Sequence, residues 1–407
     1  MREKLLDLLL TNIIPYWSGK MVDHQNGGFY GKVSGDETLF PEAEKGAVLN
    51  ARLLWFFSAS YRLLAHEYVK MDFPDKIEQI EKAEIKCLQC ATRAKRYLID
   101  YFYDNNYGGV YWSLNYKGEP LATKKQFYAL GFAIYGLSEF HRATGDTEAL
   151  EYAKSFFWDI ENHSYDPEAN GYIEATTREW KEIEDMRLSD KDENLQMTMN
   201  THLHILEPYT NLYRVWKDEK LAGRIRNLID IFLSKILDKN TSHLGLFFDK
   251  TWQRHGNEIS YGHDIEASWL ILEAAQVLAD EILTGSVTDA TARIAIASLE
   301  GYQKDGSMIY EVKNNGEADR DRHWWVQAET LVGLLYLGRY HNYSSALTLA
   351  SKTLSYITGN LVDKTNGEWF WSVREDGSVN KADDKAGFWK CPYHNSRMCI
   401  EALELLR

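Results

Sequence analysis

Asn26-Gly27-Gly28-Phe29-Tyr30-Gly31 sets a pattern, glycine followed by alternating aromatic and polar residues, that returns about six times along the 407-residue chain. The other copies are Tyr107-Gly108-Gly109-Val110-Tyr111-Trp112, Asn170-Gly171-Tyr172-Ile173-Glu174, Leu244-Gly245-Leu246-Phe247-Phe248-Asp249, Asp305-Gly306-Ser307-Met308-Ile309-Tyr310 and Asn366-Gly367-Glu368-Trp369-Phe370-Trp371. Each reads as a turn opening a short strand. Roughly 60 to 80 residues separate the copies, room for two helices of ordinary length with their loops. Those intervals carry helical periodicity, as in Leu49, Leu53, Phe56, Phe57, Ser60 and Leu64, or Leu130, Ile134, Leu137 and Phe140. The repeating unit is therefore two helices plus a strand segment. About six such pairs close into a toroid, with inner helices lining a funnel and outer helices shielding them. An open solenoid would need polar caps and a more regular period. With 7 Pro and no Gly/Ser-rich linker, nothing marks a boundary, and the expectation is one domain, 1–407.

A hydrophobic content of 44% suffices for a large core and argues against disorder. Met1 to Trp17 alternates apolar and charged residues as an amphipathic helix does, not a secretory signal, and no apolar run approaches a membrane span. A net charge of −14 without contiguous basic runs excludes a nucleic-acid backbone or an anionic membrane as the main partner. Cys87, Cys90, Cys391 and Cys399 are too few for a disulfide framework, which points to the cytoplasm. The Cys87-x-x-Cys90 pair sits in a helical stretch with no second pair nearby and reads as ordinary helix. Thirteen Trp and 25 Tyr exceed what packing requires, and rings stack on the C–H faces of sugars. No oligomeric state is legible, and a monomer is compatible with everything above.

Three stretches place polar residues where apolar spacing predicts a buried face. In Met197 to Glu207, Asn200 and His204 lie four apart on one helical face, with His202 turned away. In Ser260 to Trp269, His263 and Glu266 lie three apart near a helix start, so that a carboxylate orients the imidazole or a sugar hydroxyl. In Phe388 to Arg397, Pro392 suggests a loop delivering His394 to the mouth of the last helix, at a rim. Arg52 sits in a strongly apolar helix, where an unpaired guanidinium is costly to bury, so it must face a partner, a funnel or solvent. Trp325 and Glu329 share a helical face, a stacking platform beside a hydroxyl acceptor. His-Glu-x-x-His zinc spacing, a Gly-x-Gly-x-x-Gly turn and a Walker loop are all missing from the sequence, so neither a metal nor a nucleotide cofactor is indicated.

These stretches together resemble the N-acylglucosamine 2-epimerase superfamily, and within it the branch that epimerises cellobiose, over nearly the whole chain. The specific signals are Tyr261-Gly262-His263-Asp264-Ile265-Glu266-Ala267, Trp324-Trp325-Val326-Gln327-Ala328-Glu329 and Trp389-Lys390-Cys391-Pro392-Tyr393-His394-Asn395. The resemblance implies an all-α (α/α)6 barrel with short β-hairpin segments in its loops. It also implies reversible, cofactor-independent C2 epimerisation of β-1,4-linked disaccharides such as cellobiose or lactose. Matched by position, it implies His263, His394, His204 and Arg52 as catalytic residues, and Tyr128, Asn200, Glu266, Trp325, Glu329 and Trp389 as substrate-binding ones. The nucleotide effector of the acylglucosamine branch is not expected, because its contacting segment has no recognisable counterpart.

The chemistry explains such a set. Inverting C2 of an aldose requires ring opening, removal of the C2 proton and return of a proton to the opposite face. Histidine, with an unperturbed pKa of about 6.5, both takes and gives a proton near neutrality. His263 and His394 are assigned as the flanking pair, with His394 also a candidate for ring opening; Arg52 and His204 would steady the enediolate oxygens. An aldose–ketose isomerase would share the enediolate but reprotonate C1. An inverting glycosidase would use Glu266 and Glu329 as its two carboxylates, and a noncatalytic sugar-binding protein would turn nothing over.

Overall fold

The computed structural model describes residues 1–189 and 193–407. Helix α2 (Ala47–Leu64) is apolar on nearly every side, and Leu49, Leu53, Phe56 and Phe57 are fully buried. A helix buried all round needs neighbours all round. They are supplied by a ring in which α2 packs on α5 (Phe127–Thr144), α5 on α7 (Met199–Val215) and α7 on α9 (Tyr261–Val277). From there α9 packs on α11 (Trp324–Tyr340), α11 on α13 (Tyr393–Leu405), and α13 back on α2. An outer layer covers these six: α4 (Ile77–Tyr97) lies on α2, α6 (Thr147–His163) on α5 and α8 (Glu219–Ile231) on α7. Likewise α10 (Glu281–Ser298) covers α9, α12 (Ala346–Tyr356) covers α11, and α1 (Arg2–Asp7) with its continuation Leu8–Ile13 packs on α13. A short α3 (Glu67–Asp72) lies between α2 and α4. This is the toroid anticipated from the repeats, an (α/α)6 barrel.

The outer helices are amphipathic, as one-sided burial demands; α8 buries Leu221, Ile225, Leu228 and Ile229. Three of them start at aspartate caps, Asp146, Asp218 and Asp280, whose side chains accept first-turn N–H groups. Leu5, Leu6, Leu9 and Ile13 are buried, as the amphipathic reading of the N-terminal stretch requires. Among the described residues no helix is long and apolar enough to cross a membrane.

The strand segments organise the mouth. Lys45–Gly46, Lys125–Gln126, Met197–Thr198, Ile259–Ser260 and Arg322–His323 each run straight into an inner helix. Each pairs antiparallel with a strand reached through the next glycine motif, at Ser113–Leu114, Ala175–Thr176, Phe247–Phe248, Glu311–Val312 and Ser372–Val373 respectively. The short strands thereby tie each repeat to the next and gather the inner-helix N-termini at one end. The turns themselves hang on an aspartate that sequence reading overlooked. Asp23, Asp104 and Asp363 accept backbone N–H groups of their own turns and also hold the buried ammonium groups of Lys45, Lys125 and Lys385.

Candidate active site

A cavity of about 650 Å³ opens where the inner helices begin. Its wall includes Arg52 of α2, Tyr128 of α5, Asn200 and His204 of α7, His263 and Glu266 of α9, Trp325 of α11, Trp389 of the last loop and His394 of α13. Apart from Trp389, these residues occupy the first two turns of their helices, which is why distant segments converge. A second chamber of about 750 Å³ shares Asn200, His263, Tyr310, His323 and Trp371 with the first and is edged by Glu258, Glu311 and Asp383.

His394 is not at a rim. Pro392 caps α13 without a loop excursion, so His394 enters the barrel axis on the helix's first turn and is 5% exposed. Its Nδ1 lies 2.7 Å from Glu329 Oε1. His204 has the same backing, Nδ1 at 3.0 Å from Glu207 Oε2, one turn further along α7. Such a carboxylate fixes the proton on Nδ1 and leaves Nε2 as the working nitrogen. His263 differs: its Nδ1 meets Ser260 Oγ at 2.7 Å. Glu266, expected beside that imidazole, instead accepts from Arg397 through Oε1, while its buried Oε2 has no partner. Glu329, expected at the substrate, is fully buried behind His394 and does not line the cavity. The Trp325 ring lies 4.8 Å from that of His263 and 5.6 Å from that of His394, so one indole touches both imidazoles. His202 is turned away, between the Thr198 carbonyl and the Tyr172 N–H.

Arg397 sits at the centre of the carboxylates. One terminal nitrogen donates to Glu207 and to the Tyr393 hydroxyl; the other donates to Glu266 and, at 2.7 Å, to Glu329. Oxygens of Glu266 and Glu329 with a ring nitrogen of His394 lie within 4.8 Å of one another, a spacing suited to a metal. The guanidinium already supplies the positive charge there, so the donor set does not fit an added cation. Sequence reading missed Arg397, Glu207 and Tyr393. The signal was available, since the cost of an unpaired guanidinium in an apolar helix singles out Arg397 as it does Arg52. Tyr310 and Trp371 were read only as motif aromatics, yet they line the cavity.

Burial sets the protonation states. It pushes His263 down to about 3, with His204 adding to the effect, and lowers His394 well below the ordinary value, helped by Arg397 and Arg52. Both rings are free bases at neutral pH. Burial and the neighbouring Glu329 push Glu266 up to about 7. Burial would raise Glu207 too, but Arg397 and His204 hold it down to about 2. Arg52 is 3% exposed, and its guanidinium lies 4.2 Å from the Phe132 ring centroid and 4.6 Å from that of Tyr393. It donates to the Tyr128 hydroxyl at 2.8 Å, but Nε has no partner, and no carboxylate among the described residues pairs with it. A buried cation without a counter-ion, facing two neutral imidazoles, is ready for an anion that forms during a reaction.

Residues 76–397 match the family model for N-acylglucosamine 2-epimerase (GlcNAc 2-epimerase). The chain is 59% identical to the cellobiose 2-epimerase of Bacteroides fragilis, over 99% of this chain and 98% of that one. It is 36% identical to the cellobiose 2-epimerase of Ruminococcus albus, over 99% and 97% of the two chains. The solved structure of cellobiose 2-epimerase from Bacillus thermoamylovorans superposes with a TM-score of 0.90 at 40% identity, covering 99% of this chain and 98% of that one.

Proposed function

The chain belongs to the N-acylglucosamine 2-epimerase family and, within it, to the cellobiose 2-epimerases, and from that premise we propose that it inverts C2 of the reducing-end glucose in β-1,4-linked disaccharides such as cellobiose and lactose. The observation that carries this reading is the uncompensated Arg52 guanidinium facing two buried, neutral imidazoles.

The sugar ring opens, one of His263 and His394 removes the C2 proton as a free base, and the other returns a proton to the opposite face. Which one deprotonates depends on the direction of reaction. The delivering ring is drawn to its charged form as enediolate charge develops beside it, because a nearby opposite charge favours protonation. That ring takes its proton from water at Nε2, and the ring that removed the C2 proton releases it to water, so the cycle balances. Arg52, steered by Tyr128, stabilises the enediolate oxygens. As the ring opens, His204 takes the proton of the C1 hydroxyl and passes it to the ring oxygen, and beside the enediolate it steadies the same oxygens. Glu266 Oε2 and Asn200 Oδ1, both buried without partners, accept hydroxyls, and Trp389 and Trp325 stack on the sugar. Glu329 is assigned to holding His394, in place of a direct contact with substrate. An inverting glycosidase needs two carboxylates roughly 6.5 to 9.5 Å apart with a water between them; Glu266 and Glu329 instead share one guanidinium nitrogen.

The reaction is proposed to need no cofactor, and the chain to act as one domain in the cytoplasm, in keeping with its four buried free thiols. Incubation with cellobiose in heavy water, read by NMR, tests the whole reading. Glucosyl-mannose deuterated at C2 is the expected product; free glucose, a ketose or unchanged cellobiose would each refute it.

A further inference from the structure

Three glycine motifs share one geometry. Bridges Val22↔Phe29, Tyr103↔Val110 and Val362↔Trp369 close turns of identical length. The residue before the bridge has φ of 60° at Gly28 and 63° at Gly109, the left-handed conformation that glycine adopts without penalty. The same position in the sixth motif is Glu368, with φ of 60°. A glutamate held there is strained, and strain of this kind persists where the side chain is needed.

The Glu368 side chain is fully buried and fully used. Oε1 accepts from Lys390 Nζ at 2.7 Å and from Asn395 Nδ2 at 2.7 Å, and Oε2 accepts from Trp17 Nε1 of the first repeat. Lys390 and Asn395 are themselves fully buried. Lys390 follows Trp389 on the last loop, and Asn395 follows His394 on α13. The carboxylate never touches the cavity, yet both residues that it grips are chain neighbours of residues that line it.

We propose that Glu368 is a positioning residue for the reaction, one buried carboxylate fixing both the Trp389 platform and the His394 imidazole. The inference rests on the epimerase reading above and adds a residue outside the cavity to its machinery. Two separable arms follow: the Lys390 arm governs how the sugar is held, and the Asn395 arm governs where the acid/base ring points.

The test is steady-state epimerisation of cellobiose by full-length wild type, Glu368→Gly, Glu368→Gln, Lys390→Met and Asn395→Ala, at a temperature where circular dichroism shows each folded. Glycine is the residue that two sibling motifs carry, so Glu368→Gly keeps the backbone and removes only the grip. It should lower kcat about tenfold or more and raise KM, since misplacements of an ångström are felt that strongly. Lys390→Met should move mainly KM and Asn395→Ala mainly kcat, while Glu368→Gln, retaining an acceptor oxygen, should recover part of the loss. Wild-type kcat and KM in folded Glu368→Gly would overturn the inference, leaving Glu368 a purely structural residue read only in the melting temperature. If Glu368→Gly does not fold, wild-type constants in both Lys390→Met and Asn395→Ala overturn it equally. An inactive wild-type control would instead defeat the epimerase reading itself.

Discussion

His394 and His263 carry the sharpest expectations at the scale of single residues. Replacing either by alanine should lower kcat by about 10²- to 10⁴-fold, the usual worth of a positioned acid/base group, with circular dichroism unchanged; full activity in either variant would remove the pair from the mechanism. The two buried arginines should separate in kind. Arg52 pairs with no carboxylate among the described residues, so Arg52→Met should cost activity by about 10²- to 10³-fold while leaving the melting temperature nearly intact. Arg397 neutralises Glu207, Glu266 and Glu329, so Arg397→Met should in addition destabilise by about 3–5 kcal/mol, the penalty for stranding a buried charge, measured by urea unfolding. Spacing alone brought Asn200 and His204 to one face, because four residues nearly complete a helical turn. The same logic misjudged Glu329: a shared face with Trp325 says nothing about depth, and Glu329 lies one layer deeper, behind His394.

Secondary-structure elements were legible where their pattern is long. Helix pairs announced themselves through apolar periodicity over several turns. The cross-repeat strand pairs did not, because two-residue strands such as Lys45–Gly46 and Ser113–Leu114 have no period to detect. Nor did the aspartate that anchors each turn, whose partners come from other repeats. In the second repeat Asp104 holds its own turn, the fully buried Lys125 at 3.0 Å, and Nε and one terminal nitrogen of Arg178 at 2.8 and 3.0 Å. Burial would raise its carboxyl, but Arg178 and Lys125 hold it well below the usual carboxylate range. Asp104→Ala should therefore destabilise by about 3–5 kcal/mol, as for other broken buried pairs, and a urea midpoint within error of wild type would refute that account.

For the whole molecule, the far end of the barrel makes a prediction about pH. Burial and the nearby Glu273 and Glu404 raise Glu401 to about 8. A carboxyl raised in the folded state binds its proton more tightly there than in the unfolded chain, where its pKa is about 4.3. Stability from this group is therefore present below the unfolded value and is lost as pH climbs through the folded one. Relative to Glu401→Gln, the wild-type melting temperature should fall between about pH 5 and 8, leaving Glu401→Gln the more stable protein at pH 8. A slope unchanged by the substitution would show that Glu401 does not control it.

The gathering of all six inner helices at the mouth has an electrical consequence. Each helix begins there, and a helix N-terminus is equivalent to roughly half a positive charge, so the chamber lies at the convergence of six helix dipoles. In a chain with net charge −14, the backbone itself thus favours a transient anion at this point, beside what Arg52 contributes.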